Sequence, residues 1–345
     1  MKTEYFEGII GQDRAKKKLK FLCDGQQDSG ICPTMMFVAP KGCGKTTLAK
    51  AVGSKLINRI ENVGKSKTFL EINCSTLKSL KQFFNQIVIP HIHGKECTVL
   101  FDEASELPKD LTMALLTILN PNPENRTTFS YEDYTVDFDF RMQSFMFATT
   151  EAQQIFHALM DRCERIDLEE YTYGELAEIV SRNLQGAKWE KGVLEEISSV
   201  LRGNARAAQK IATHIKVYLK REKRKNFTNK DWGILKDALG ILPLGLSPIE
   251  VQVLGILQEQ KECSLTRLSA KTGLTKSCIQ RDFELYLQKH DLMEISTSGR
   301  ALTKKGQEYL KALNENAWFN SQAGVRQARN RVSYPSRQRR MAWRD

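Results

Sequence analysis

The sequence predicts an α/β protein, a parallel sheet with helices on both faces, followed by two smaller units that are mostly helical. Three observations lead there. Residues 1–170 alternate short apolar runs with longer helix-periodic ones. One apolar run, 35–38, feeds directly into a glycine-rich loop and then a helical run. Beyond residue 170 the strand-like runs stop, and a short β-like pair returns only near 292–303.

The strands read as 35–38, 68–73, 98–101, 145–148 and 165–168. Each is short, apolar and bounded by turn or polar residues, as strands buried on both faces are. Helical patterns intervene at 48–56, 77–86 and 108–119. Residues 172–240 read as helices only, at 173–184, 193–201 and 205–219, with the basic run 220–225 as a solvated helix end. Residues 247–313 give helices at 248–260, 265–272 and 276–289, a β-like pair at 292–296 and 301–303, and a last helix at 304–313. Three helices and a hairpin make a winged helix. The expected division is 1–170, 171–241, 242–313 and a flexible basic tail, 314–345.

Length and composition agree. The 345 residues suffice for two or three domains at about 100–200 each, and 41% are hydrophobic. No apolar run approaches the ~18 residues of a membrane span, and no apolar segment of signal-peptide type follows Met1. The eight cysteines stand singly, without a CxxC pair, which argues against a zinc ribbon or disulfide framework and for a reducing, cytoplasmic setting. The formal net charge is +11. The tail alone contributes +5, from seven arginines (326, 329, 331, 337, 339, 340, 344) against Glu315 and Asp345. Such a balance favours a polyanionic partner.

The loop is Ala39-Pro40-Lys41-Gly42-Cys43-Gly44-Lys45-Thr46-Thr47. Strand, glycine loop and helix N-terminus form a phosphate cradle of backbone N–H groups. Lys45 is placed to reach the β- and γ-phosphates of a nucleotide, and the Thr46 hydroxyl to ligate Mg²⁺. The first glycine of the pattern is Ala39, so an ordinary glycine–lysine turn is the competing reading. About 57 residues past Lys45, the apolar run 97–101 ends in Asp102-Glu103. Asp102 suits the Mg²⁺ shell and Glu103 the general base that polarises the attacking water. A third strand ends in Thr149-Thr150, where Thr150 is expected to position that water. Arg162, in Asp161-Arg162-Cys163, suits an arginine finger lent to a neighbour's γ-phosphate. Arg206 opens a helix of the second unit and is expected to fold over the nucleotide.

This ordered set resembles the AAA+ ATPases and, more narrowly, the RuvB family, motors of Holliday-junction branch migration. The resemblance extends over about nine tenths of the chain. Ile9-Ile10-Gly11-Gln12-Asp13 is similar to the family's adenine-contacting box, which implies a nucleotide contact for Ile9 and Ile10. Ala148-Thr149-Thr150 is similar to its sensor 1, and Arg202-Gly203-Asn204-Ala205-Arg206 to its sensor 2. The turn Ser298-Gly299-Arg300 resembles its DNA-touching wing. What the resemblance implies is ATP and Mg²⁺ as cofactors, a homo-oligomeric ring with six subunits as one option, and movement of duplex or branched DNA.

Two departures stand against it. Asp161-Arg162-Cys163 is similar to clamp-loader subunits rather than to the Arg-Phe-Gly usual in the RuvB family, so a clamp-loader-like or helicase-loader ATPase is the alternative. The segment 126–140, where the family carries a hairpin that engages RuvA, reads as shorter and acidic (Glu132, Asp133, Asp137, Asp139), which argues against a RuvA-like partner. For DNA, the winged-helix unit offers Lys276, Arg281 and Arg300. Asp282 and Glu284 dilute the charge of the helix at 276–289, which favours phosphate tracking over base readout; a winged helix that binds protein is the competing reading.

Overall fold

The structure, a computed structural model, describes residues 5–120 and 122–315. The basic tail expected at 314–345 lies outside the described residues from position 316 onward. The chain separates into two compact units, one through Gly240 and one from Ile241.

The first unit is built on a five-stranded sheet. Helix α1 (Asp13–Ser29) leads into β1 (Met35–Val38), and α2 (Lys45–Gly53) into β2 (Thr68–Asn73). Helix α3 (Leu80–Phe83) continues as a π-helix, Phe84–Ile92, before β3 (Cys97–Asp102) and α4 (Lys109–Ile118). A hairpin of β4 (Arg126–Tyr131) and β5 (Tyr134–Asp139) precedes β6 (Gln143–Thr149), α5 (His157–Met160) and β7 (Glu164–Asp167). The sheet order is β2-β3-β6-β1-β7, and every pairing in it is parallel. Strands β3 and β6 are almost wholly buried, which is why their sequence is continuously apolar rather than alternating. One core, with Phe101 stacked on Phe147 at 4.9 Å, lies against β3 and β6. Another joins α1 and α2 to β1 through Leu19, Phe37, Leu48 and Val52.

The helix expected at 77–86 begins at Leu80 and runs on in π form to Ile92. Pro90 lies inside that stretch; it has no N–H for the i−4 carbonyl, and the wider turn accommodates its ring. The hairpin is complete, paired from Arg126↔Asp139 to Tyr131↔Tyr134. Phe129 and Tyr131 stack on Phe84 at 5.5 and 5.1 Å, fixing its inner face. Its carboxylates are also engaged: Glu132 meets Lys81 at 3.2 Å, Asp137 accepts from Thr128 at 2.6 Å, and Asp139 pairs with Arg126 and Arg141 at 2.9 and 2.6 Å.

The rest of this unit comprises α6 (Tyr173–Arg182), β8 (Lys188–Trp189), α7 (Val193–Ser199), α8 (Ala205–Arg221), β9 (Asn226–Phe227) and α9 (Asn229–Ala238). A Thr172/Glu175 capping box starts α6. The expectation of helices only is corrected by β8 and β9, a two-residue parallel pair joining Trp189 to Phe227. Such a pair is too short to leave a period in the sequence.

The second unit contains α10 (Pro248–Gln260), β10 (Glu262–Cys263), α11 (Leu265–Thr272) and α12 (Lys276–Cys278), then a π-turn (Ile279–Glu284) and α13 (Leu285–Lys289). Strands β11 (Met293–Ile295) and β12 (Arg300–Leu302) follow, and residues 304–315 are helical. Strand β10 adds a third strand, in the order β10-β12-β11. The core is Val253, Leu254, Leu257, Leu268, Ile279, Leu287 and Leu292. No single described helix is long and apolar enough to cross a membrane.

Candidate nucleotide site

The loop after β1 does what its sequence promises. Gly42 and Gly44 have φ of 84° and 93°, a left-handed backbone open to glycine at little cost. Ala39 does not have positive φ and is buried. Glycine's freedom is not required there, so the methyl group is tolerated. Lys45 is only 7% exposed, and its ammonium donates to the Ala39 and Pro40 carbonyls at 2.9 and 3.2 Å. Burial lowers its pKa, while the charge of Glu103 and, less strongly, Asp102 holds it up.

Strand order assembles the remaining groups. Because β6 lies between β1 and β3, Thr150 emerges between the glycine loop and Asp102-Glu103. Thr149, its neighbour, is fully buried and its hydroxyl accepts from the Glu151 N–H at 3.0 Å, which leaves Thr150 to line the cleft. Thr46 Oγ1 donates to Asp102 Oδ2 at 2.8 Å. A hydroxyl and a carboxylate so close are a hard, all-oxygen donor pair, and this suits Mg²⁺, which takes one or two protein ligands beside phosphate and water. Glu103 sits at φ 55° and ψ 50°, an uncommon conformation for a side chain of its size, and its N–H donates to Asp102 Oδ1 at 3.0 Å. This turn keeps the two adjacent carboxylates in the same cleft.

The helical subdomain closes the cleft. Asn204 caps α8 by accepting from the Ala207 N–H at 3.1 Å and donates Nδ2 to the Lys41 carbonyl at 3.2 Å. The Ala205 N–H donates to the Gly42 carbonyl at 3.1 Å. Helix α8 is thus latched to the loop by its first turn, and Arg206 and Gln209 line the cleft with Lys41, Lys45, Thr46, Thr47, Asp102 and Glu103. A Cβ on Gly42 would lie 2.1 Å from Asn204 Oδ1, on top of the backbone strain. Gly42→Ala is therefore expected to weaken nucleotide binding by about tenfold in a fluorescent-nucleotide titration; unchanged affinity would show that the latch is dispensable.

Not every expected residue reaches the cleft. Cys43 is buried beneath the loop, and Pro40 contributes its carbonyl to Lys45. Neither Ile9 nor Ile10 is among the cleft's lining residues; Ile9 packs at the edge of the core and its carbonyl accepts from Lys16 at 2.5 Å. The same N-terminal stretch reaches the loop through Gln12 instead. Its amide pairs with both the N–H and the carbonyl of Glu169, at 3.1 and 2.7 Å, and touches the Cys43 carbonyl at 3.4 Å. Arg162 is not in its own chain's cleft either: its guanidinium donates to the Ala158 carbonyl and to Asn120.

Known proteins match this arrangement. Residues 35–171 match the ATPase family associated with various cellular activities (AAA), and residues 243–311 match the RuvB C-terminal winged helix domain. The chain joins an AAA ATPase domain to a winged helix of the RuvB C-terminal kind, and is RuvB-like in that order. The Holliday junction branch migration complex subunit RuvB of Wolbachia sp. subsp. Brugia malayi (strain TRS) is 25% identical over 90% of this chain and 93% of its own length. That of Campylobacter hominis is 25% identical over 88% of each. The solved Thermotoga maritima RuvB Holliday junction branch migration motor shares the fold, with a TM-score of 0.72 at 21% identity, over 90% of this chain and 98% of that one. The chain is accordingly an ATP hydrolase.

In the winged helix of this RuvB-like ATPase, Lys276 on α12 and Arg281 on the π-turn after it are exposed. Arg300 requires correction as a DNA contact. Its Nε and Nη2 grip the Glu284 carboxylate at 2.8 and 3.2 Å, and the two side chains are 14% and 3% exposed. A carboxylate that deep needs a full cation, so Arg300 is committed to fastening the wing to the helix. Arg300→Ala should destabilise the second unit by about 3–5 kcal/mol, because it leaves Glu284 buried and unpaired. Urea unfolding followed by circular dichroism measures this; a loss of DNA binding without a loss of stability would restore Arg300 as a contact.

Proposed function

We propose that this RuvB-like ATPase is a DNA motor that hydrolyses ATP at subunit interfaces and moves duplex or branched DNA. One observation carries the reading: a cleft lined by Lys45, Thr46, Asp102, Glu103, Thr150 and Arg206, and latched to the helical subdomain, shares a chain with a winged helix of the RuvB kind. The relatives named above are subunits of a Holliday junction branch migration complex.

Glu103 accepts a proton from the attacking water, which Thr150 orients from the neighbouring strand. Lys45, Arg206 and the neighbour's Arg162 stabilise charge on the transferring phosphoryl group. Thr46 and Asp102 would hold Mg²⁺, which when bound offsets phosphate charge. Loss of the γ-phosphate removes the ligand on which Arg206 and the finger converge. Because the hydrogen bonds given above between α8 and the loop come from the start of the helix, the helical subdomain can then turn as a body. A homo-oligomeric ring, with six subunits as one option, would turn successive closures into DNA movement. Lys276 and Arg281 track phosphates in this scheme, and the cytoplasm is its setting.

The sequence grounds against a RuvA-like partner were a short, acidic hairpin. The hairpin is paired along its whole length and three of its four acids, Glu132, Asp137 and Asp139, have partners, so a second protein subunit is compatible with this reading. Binding to a synthetic four-way junction and to linear duplex over a salt series tests the DNA assignment. We expect tighter binding to the junction and a linear fall of log K with log salt; salt-independent binding, or none, would contradict it.

A further inference from the structure

We propose that Asn120 positions the arginine finger, and that α4 carries it as a strut from the chain's own catalytic carboxylates. The inference rests on the finger reading of Arg162 and extends it. Arg162 lies beyond the four-residue helix α5, in a segment with little structure of its own. One of its guanidinium bonds, Nη1 to the Ala158 carbonyl at 2.7 Å, stays within that segment and moves with it. The other, Nη2 to Asn120 Oδ1 at 3.2 Å, comes from across the fold. Among the described residues it is the one side-chain hydrogen bond that ties the guanidinium to the rest of the domain.

Asn120 is itself fixed. Its N–H donates to the Thr117 carbonyl at 3.3 Å, and its carbonyl accepts from Asn122 Nδ2 at 3.3 Å. It closes α4, a ten-residue helix about 15 Å long. The other end of α4 follows the short turn Ala104–Glu106, directly after Asp102 and Glu103. Leu111, Leu115, Ile118 and Leu119 of this stretch are buried in the same core as Leu159, three residues before the finger. A displacement at the carboxylates is therefore transmitted to Asn120 through a packed rod rather than a loop.

The chemistry favours an amide. A finger must arrive charged and oriented, with N–H donors to spare. A neutral Oδ1 takes one hydrogen and leaves the charge uncompensated, which a carboxylate would not. The adjacent carboxylate, Asp161, is turned onto His157 Nδ1 at 2.9 Å instead.

In the full-length protein, Asn120→Ala should lower kcat for ATP on the order of tenfold. KM, fluorescent-nucleotide affinity and melting temperature should not change. The decisive arm acts in trans. Lys45→Ala subunits, which cannot cradle phosphate, are mixed into wild type either alone or carrying Asn120→Ala or Arg162→Ala as well. The Lys45→Ala/Asn120→Ala subunit should poison turnover more than Lys45→Ala does, approaching Lys45→Ala/Arg162→Ala. Poisoning equal to that of Lys45→Ala, with the Arg162 combination stronger, would overturn the role of Asn120 alone. A single Arg162→Ala protein with normal turnover would overturn the finger reading beneath it.

Discussion

Arg162→Ala is expected to reduce ATP turnover on the order of 10³-fold or more while leaving nucleotide affinity intact. The size follows from the role. A guanidinium that reaches the γ-phosphate stabilises charge that develops only in the transition state, so its removal appears in kcat and not in binding. The position is compatible with that role: Arg162 is not among the residues lining the cleft with Lys45, Asp102, Glu103 and Arg206, and its guanidinium is held on Ala158 and Asn120. Steady-state hydrolysis beside a fluorescent-nucleotide titration separates the two quantities. A parallel loss of binding would instead make Arg162 a ground-state ligand or a structural residue.

Glu103→Gln is expected to lower hydrolysis by about 10²–10⁴-fold and to accumulate ATP-bound protein. Gln keeps the shape and the hydrogen-bonding reach of Glu but has no basic carboxylate. The φ of 55° at this residue strengthens the expectation, since a strained backbone persists where the fold holds it for a purpose. The backbone N–H of Glu103 remains on Asp102 in the variant, so the metal-facing carboxylate keeps its geometry. Single-turnover hydrolysis with radiolabelled ATP gives the rate of the chemical step. An undiminished rate would exclude Glu103 as the base.

The candidate site was legible because most of its residues stand at the ends of strands, and buried parallel strands announce themselves as short apolar runs. Lys45, Thr46, Asp102, Glu103 and Arg206 all reach one cleft. Thr150 required one further fact, that β6 lies between β1 and β3, and strand order is not written in local sequence. Gln209 had a signal: it stands three residues after Arg206 on one helix face. Asn204 had one too, as an N-cap before a helical run. Gln12 had none, because its partner Glu169 is 157 residues away. Arg300 misled for the same reason in reverse. A cation in a turn looks available until the chain places Glu284 beneath it. The strands β8, β9 and β10, at two residues each, are pairings that only the tertiary fold creates.

The central claim is that ATP hydrolysis in this cleft is coupled to DNA through the winged helix. The most direct test is the steady-state ATPase rate of the full-length protein alone, with linear duplex, with forked DNA, with a four-way junction, and with a sliding-clamp protein. Our account predicts stimulation by DNA, strongest with the four-way junction and lost in Glu103→Gln. Stimulation by the clamp protein with no response to any DNA would contradict it.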